Sequence, residues 1–177
     1  MYQAQSPHTR LALSVIVAFA TKQNPEPVRL NTVPEELKEK MACFVSIHLL
    51  DGSLRGCIGT IEPKDENLYQ EIISNAISAA SRDSRFVPVR EDELEQITVS
   101  VDVLGKPYQV SNLNELDPLR LGVIVSDGGF ARGVLLPNIE SVDTVDKQLN
   151  IAKRKAGLQN FDTESLKIYA FTSTRFH

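Results

Sequence analysis

The hydrophobic pattern first becomes regular at Leu11, Val15, Ala18 and Phe19, which recur at helical spacing. Ser6 and Pro7 precede them, a capping residue followed by the residue best tolerated at a first helical position, and the segment is predicted to be a helix. The same run, LALSVIVAFA from Leu11 to Ala20, follows Arg10 and ends in small residues, so it also has the outline of a secretory signal. The cap and the period favour a helix of the mature protein, and the run is shorter than the ~20 residues a membrane span needs. Asn24 to Pro34, with Pro25 and Pro27, reads as an irregular surface connection, and Glu35 to Met41 as one helical turn.

Two strand patterns follow, Cys43 to Leu50 and Leu54 to Ile61, around Asp51, Gly52 and Ser53, and Asp-Gly is a strong hairpin signal. Asp65 is the expected N-cap of a helix running to about Ser81, whose apolar face is Leu68, Ile72, Ile73, Ala76, Ile77 and Ala80. Ile97 to Val103 alternates apolar with polar, the pattern of a half-buried strand. Leu121 to Val125 and Gly133 to Leu136 flank Asp127, Gly128 and Gly129 and predict a second hairpin. Ser141 is the expected cap of a helix through Ala156, with Gly157 as its stop, and Leu166 to Thr172 the last strand. Helices and strands do not alternate as βαβ units. The fold class is therefore α+β, a mainly antiparallel or mixed sheet with packed helices in one compact unit.

With a two-residue turn, Leu50 pairs with Ser53, His48 with Arg55, Ser46 with Cys57 and Phe44 with Gly59, all on one face. The other face holds Cys43, Val45, Ile47, Leu49, Leu54, Gly56, Ile58 and Thr60, and is read as the core. Cys43 is then an inert buried thiol, whereas Cys57 shares its face with a cation, an imidazole and a hydroxyl. Arg55 lies two residues along the strand, about 7 Å from Cys57, where a unit charge is worth roughly 2 kcal/mol in favour of a thiolate. Burial acts in the opposite sense. Gly56, and Gly59 two residues beyond Cys57, either let a ligand or another backbone approach the sulfur closely or, in the plainer reading, mark a bulge or tight packing against a helix. His48 sits diagonally from Cys57, but no third group orients it, and a surface histidine is the plainer reading.

Composition narrows the classes. The chain has 177 residues, 42% hydrophobic and 24% charged, with 19 basic and 23 acidic side chains and a net charge of -4. That size supports a core without metal or disulfides, and the charge balance does not signal nucleic-acid binding. Two cysteines and one histidine away from the termini fall short of a metal cluster, reduced thiols suit a cytoplasmic setting, and no residue pattern names a cofactor. Asp127, Gly128 and Gly129 lack the strand-to-helix setting of a phosphate loop.

The runs LRGCIGTIEP, NAISAASRDSRFVPV, GVLLP and KAGL occur in this order across nearly the whole chain. Together they make it resemble the AMMECR domain family, the protein A component of the AmmeMemoRadiSam gene system. The resemblance implies an intracellular α+β protein of two unequal lobes, partnered functionally with a Memo-type protein and a radical SAM enzyme. It names no reaction. Its pattern falls on Arg55, Gly56, Cys57 and Gly59, on Asn75, on Asp83 and Arg85, on Arg132 and on Lys155. Many relatives carry a cysteine where this chain has Lys153, which counts against a mechanism needing two thiols. Asn75, an amide on an apolar helix face, ties the helix to a strand or orients a ligand. Asp83 with Arg85 reads as a loop ion pair or as part of the hairpin site, and Arg132 and Lys155 as solvated charge or anion binders.

The leading expectation is a modifying enzyme in which Cys57 is the reactive thiol and Arg55 stabilises the thiolate or an anionic substrate, with Asn75, Asp83 and Arg85 positioning groups around it. Two rivals stand beside it. One is a non-catalytic module that presents the hairpin to a protein partner or metabolite, and the other an RNA-binding or RNA-modifying component.

Overall fold

The first helix, α1, spans Pro7–Ala20 in the computed structural model, which describes residues 4–23 and 32–177. Most of the connection expected at 24–34 lies outside the described residues. Ser6 caps α1 as the sequence implies: its Oγ accepts from the Thr9 N–H at 3.2 Å, and the Thr9 hydroxyl accepts from the Ser6 N–H at 3.3 Å. A 3-10 turn, Glu35–Leu37, occupies the place of the expected helical turn. Among the described residues no helix is long and apolar enough to cross a membrane.

Two compact units follow from the chain's internal packing, one of residues 1–104 with 174–177 and one of residues 105–173. In the first, strands β1 (Ala42–Leu49), β2 (Leu54–Gly59) and β3 (Ile97–Leu104) lie in the order β2-β1-β3, antiparallel throughout, with β2 at the edge. The helix α2, Leu68–Ser81, packs with α1 on one face of these strands. There Cys43, Val45, Ile47, Val99 and Val101 meet Ile16, Ile72 and Ala76 in a sealed core. Each fully buried aliphatic side chain of this kind contributes roughly 1.5–3 kcal/mol.

The cap of α2 is Asn67, whose Oδ1 accepts from the Gln70 N–H at 3.0 Å, and not Asp65. The reason lies inside the helix. Glu71 is buried, and its Oε2 accepts the N–H groups of both Lys64 and Asp65 at 2.8 Å while the Thr60 hydroxyl donates to Oε1. The segment before Asn67 is thus gathered as a loop around a carboxylate, and its backbone donors are already used.

The first hairpin departs from the expected register in a compensated way. Its turn is Leu50, Asp51 and Gly52, with the Leu49 N–H donating to the Ser53 carbonyl at 2.8 Å and Gly52 at φ +86. Leu50 therefore does not pair with Ser53, and His48 lies opposite Leu54 rather than Arg55. A bulge at Arg55 adds one residue to β2 and restores the expected pairs Ile47 with Gly56, Ser46 with Cys57 and Phe44 with Gly59.

β3 also differs from expectation. It is not half-buried: Ser100 and Asp102 are as inaccessible as Val99 and Val101 on the opposite face.

In the second unit, β5 (Leu121–Ser126) and β6 (Arg132–Leu135) form the predicted hairpin. Gly128 at φ +86 supplies its turn. β5 also pairs with β7, Lys167–Phe176, which is longer than predicted and whose residues 174–176 belong to the first unit. The two-residue β4, Tyr108–Gln109, lies on the other side of β7. The helix α3, Val145–Ala156, starts from Thr144 and ends at Gly157 at φ +73. Ser141 cannot cap it because that residue sits at φ +67 beside a turn closed by Val142 N–H on the Ile139 carbonyl at 3.0 Å. Gly133 has no room for a side chain against the Ala152 backbone, which brings α3 down onto β6.

Candidate functional site

β2 is an edge strand, so half of its backbone groups face away from β1. Thr60 donates its N–H to the Cys43 carbonyl at 3.1 Å, and counting back by alternation puts Ser46 and Cys57 in a pair whose N–H groups point outward. The outward N–H of Cys57 is met by Asp83 Oδ2 at 2.9 Å. That carboxylate is buried, and Arg85 holds it through Nε at 2.9 Å and Nη2 at 2.7 Å, with its own backbone N–H at 3.2 Å. The Asp83 carboxyl consequently falls to about 2, chiefly through the Arg85 hydrogen bonds and in spite of burial. Asp83 thereby closes the edge to strand addition at this position, and Arg85, with 56% of its side chain exposed, is left beside Cys57 with its guanidinium 5.4 Å from the centre of the Phe86 ring.

Cys57 is half-buried, and its sulfur accepts a hydrogen bond from the Ser46 hydroxyl at 3.2 Å. Burial pushes this thiol up from its ordinary value; the Ser46 bond and the Arg85 charge pull it back, and Asp102 and Asp83 add to the rise. Cys43, one strand across and on the opposite face, is fully sealed and pushed up to about 12 by burial.

Arg55 does not stand beside Cys57 as a free cation. As the bulge residue it is nearly buried and forms a two-point pair with Glu93, Nε to Oε1 at 2.8 Å and Nη2 to Oε2 at 3.0 Å. Glu93 comes from the 3-10 segment Glu91–Gln96, and the Arg55 bonds hold its carboxyl below the ordinary value. The cation that favours charge on Cys57 is Arg85.

The glycines are used by the protein itself. A Cβ on Gly56 would come within 2.5 Å of the Ala79 carbonyl oxygen, and one on Gly59 would collide with the Phe44 ring. Asn75 joins α2 to β1, its Nδ2 donating to the Cys43 carbonyl at 3.0 Å, on the core face. Arg132, at the start of β6, and Lys155, near the end of α3, belong to the second unit, while the arrangement around Cys57 is built from the first. Lys153 is buried in α3 with its ammonium on the Phe161 carbonyl.

Sequence reasoning did not bring in Glu93, Ser100 or Asp102. Asp102 is buried and paired with Arg175 through Nε at 2.9 Å and Nη2 at 3.1 Å. His48, on the same face as Ser46, is lowered by burial and by Arg175, against the pull of Asp102. The signal for Ser100 and Asp102 was the alternation in ITVSVDV, which marks them as sharing a face, whereas nothing in the sequence pattern marked Glu93.

The model of the AMMECR1 family matches residues 9–176. A protein of Thermotoga maritima is 48% identical over 176 residues, covering 97% of this chain and 98% of that protein. A protein of Clostridium acetobutylicum is 40% identical over 171 residues, where the match covers 96% of this chain but 36% of the other. Among solved structures, an uncharacterised protein of Pyrococcus horikoshii superposes with a TM-score of 0.84 at 32% identity, covering 95% of this chain and 88% of that one.

Proposed function

Because the chain belongs to the AMMECR1 family, and that membership names no reaction, we propose from the site itself that it is a modifying enzyme in which Cys57 is the reacting thiol and Arg85 receives an anionic group of the substrate. The observation that carries this reading is the setting of the sulfur: Ser46 donates to it at 3.2 Å, and the half-exposed Arg85 guanidinium beside it favours the thiolate. Asp83 fixes both neighbours, since it bonds the Cys57 backbone and the Arg85 side chain. Burial keeps the resting thiol protonated. The charge then develops as substrate arrives and its anion lies on Arg85. The Memo-type protein and the radical SAM enzyme that the resemblance implies are proposed as partners in a reducing, cytoplasmic setting.

Acetyl phosphate is the test reagent, since it joins an electrophilic carbonyl to a phosphate. In its reaction the Cys57 sulfur forms a bond to the acetyl carbon, the carbon–oxygen bond to phosphate breaks, and the thiol proton leaves with the phosphate. Acetylation of Cys57, followed by peptide mass spectrometry, is expected to saturate with reagent. Arg85→Ala should raise the half-saturating concentration about tenfold, the worth of a charge-assisted hydrogen bond. A rate linear in reagent, and equal in the Arg85→Ala variant, would remove the enzyme reading.

A second reading is favoured by two of the same observations: burial raises the thiol, and the glycines are filled by Ala79 and Phe44 rather than left open. On that reading the chain is a binding module, and Cys57→Ser retains its affinity for a Memo-type partner.

A further inference from the structure

Ser100 is 4% exposed, and its hydroxyl has no hydrogen-bond partner. Leaving a buried hydroxyl unpaired is unfavourable, and each of the four such buried polar atoms among the described residues, of which this is one, calls for a reason. The strand registers supply one. Ser100 lies directly opposite Ser46 on β1, and Ser46 lies directly opposite Cys57 on β2, so the three side chains form one row across three strands. The Ser46 proton is already committed to the Cys57 sulfur. Its oxygen keeps lone pairs to accept with, and Ser100 is the neighbour with a proton to give.

We propose that Ser100 is a positioning residue for Cys57: its hydroxyl turns to donate to Ser46 Oγ, and the two hydroxyls form a relay that takes up the negative charge as the thiol proton leaves. This deepens the enzyme reading, because it requires that Cys57 ionise. The relay works in a field set by several elements. Asp83 and Arg85 face the sulfur from the segment after α2, Asp102 from β3, Arg175 of β7 sits on Asp102, and His48 shares the face on β1. The relay adds dipoles to that field without adding a charge, so its effect is on the ease of ionisation and not on net charge.

The experiment is the rate of iodoacetamide alkylation of Cys57 in the full chain, read by peptide mass spectrometry above about pH 7.5, where His48 stays neutral. In this reaction the thiol proton goes to hydroxide, the sulfur–carbon bond forms and iodide leaves. Ser100→Ala is expected to move the inflection up by about half a pH unit, hence to slow alkylation about threefold below it. Ser46→Ala should move it at least as far, and Ser100→Thr, which keeps the hydroxyl, should follow the wild type. The thermal midpoint of Ser100→Ala should not fall, since no existing hydrogen bond is lost. A Ser100→Ala profile that superimposes on the wild type overturns the relay, as does a shift that Ser100→Thr reproduces. The alkylation profile reads the relay whether or not acetylation by acetyl phosphate saturates, so the two readings fail separately.

Discussion

The two faces of the β2-β1-β3 sheet are drawn from alternate residues of the same strands, and they solve burial differently. On one, Cys43, Val45, Ile47, Val99 and Val101 are closed under α1 and α2, and an amide, Asn75, crosses over to tie α2 to β1. On the other, Ser46, Ser100 and Asp102 are just as inaccessible, yet they are polar. The apolar face is held by area removed from water, which is insensitive to direction. The polar face is held by directed bonds, and each must be made to avoid a cost. The two cysteines show the consequence. Cys43 is sealed and pushed up to about 12 by burial, while Cys57 is half-buried, with a hydroxyl on its sulfur and a guanidinium beside it.

The contrast is broken most severely from the apolar side. Ile47 is completely buried, and Ile47→Ala should cost about 2–5 kcal/mol in chemical denaturation, since the surrounding helices only partly close on the space. A loss below about 0.5 kcal/mol would mean that this face is not the core of the unit.

A smaller effect, with a distinctive pH signature, comes from the edge of the polar side. The Asp83 carboxyl is lowered from 3.8 to about 2, so its contribution is fully present above its unfolded value and is lost as pH falls through 3.8 towards 2. Because Arg85 is half-exposed, the expected contribution is about 1 kcal/mol rather than the full linkage value. Asp83→Asn should lack this component: between about pH 5 and pH 2 its stability should fall less steeply than that of the wild type by that amount. Parallel acid profiles would show that the Asp83–Arg85 pair adds nothing to folding.

Much of this was legible in the chain. Ser6 and Pro7 predicted the start of α1, Gly157 the end of α3, and alternation in CFVSIHLL the two faces of the hairpin, because each depends on local backbone chemistry. What failed was non-local. The bulge at Arg55 follows from a turn one residue longer than expected, and the Arg55 side chain is claimed by Glu93, 38 residues away. The cap of α2 moved to Asn67 because Glu71, inside the helix, takes the earlier N–H groups. Alternation identified the polar residues of β3 but read their face as open to solvent, since period alone does not say what covers a strand. The reasons that singled out Cys57 fared unevenly. The expected cation, Arg55, is engaged by Glu93, the glycines follow the packing alternative, with Gly56 against Ala79 of α2, and Arg85 was marked by the family pattern and by its place just after α2.

The difference between the two thiols is read by native-state labelling of both cysteines with iodoacetamide at about pH 9, with each site resolved by peptide mass spectrometry. Cys57 is expected to label at least about tenfold faster than Cys43, and Arg85→Ala to slow Cys57 without changing Cys43. Equal labelling of the two thiols, or a Cys57 rate indifferent to Arg85, would contradict this contrast.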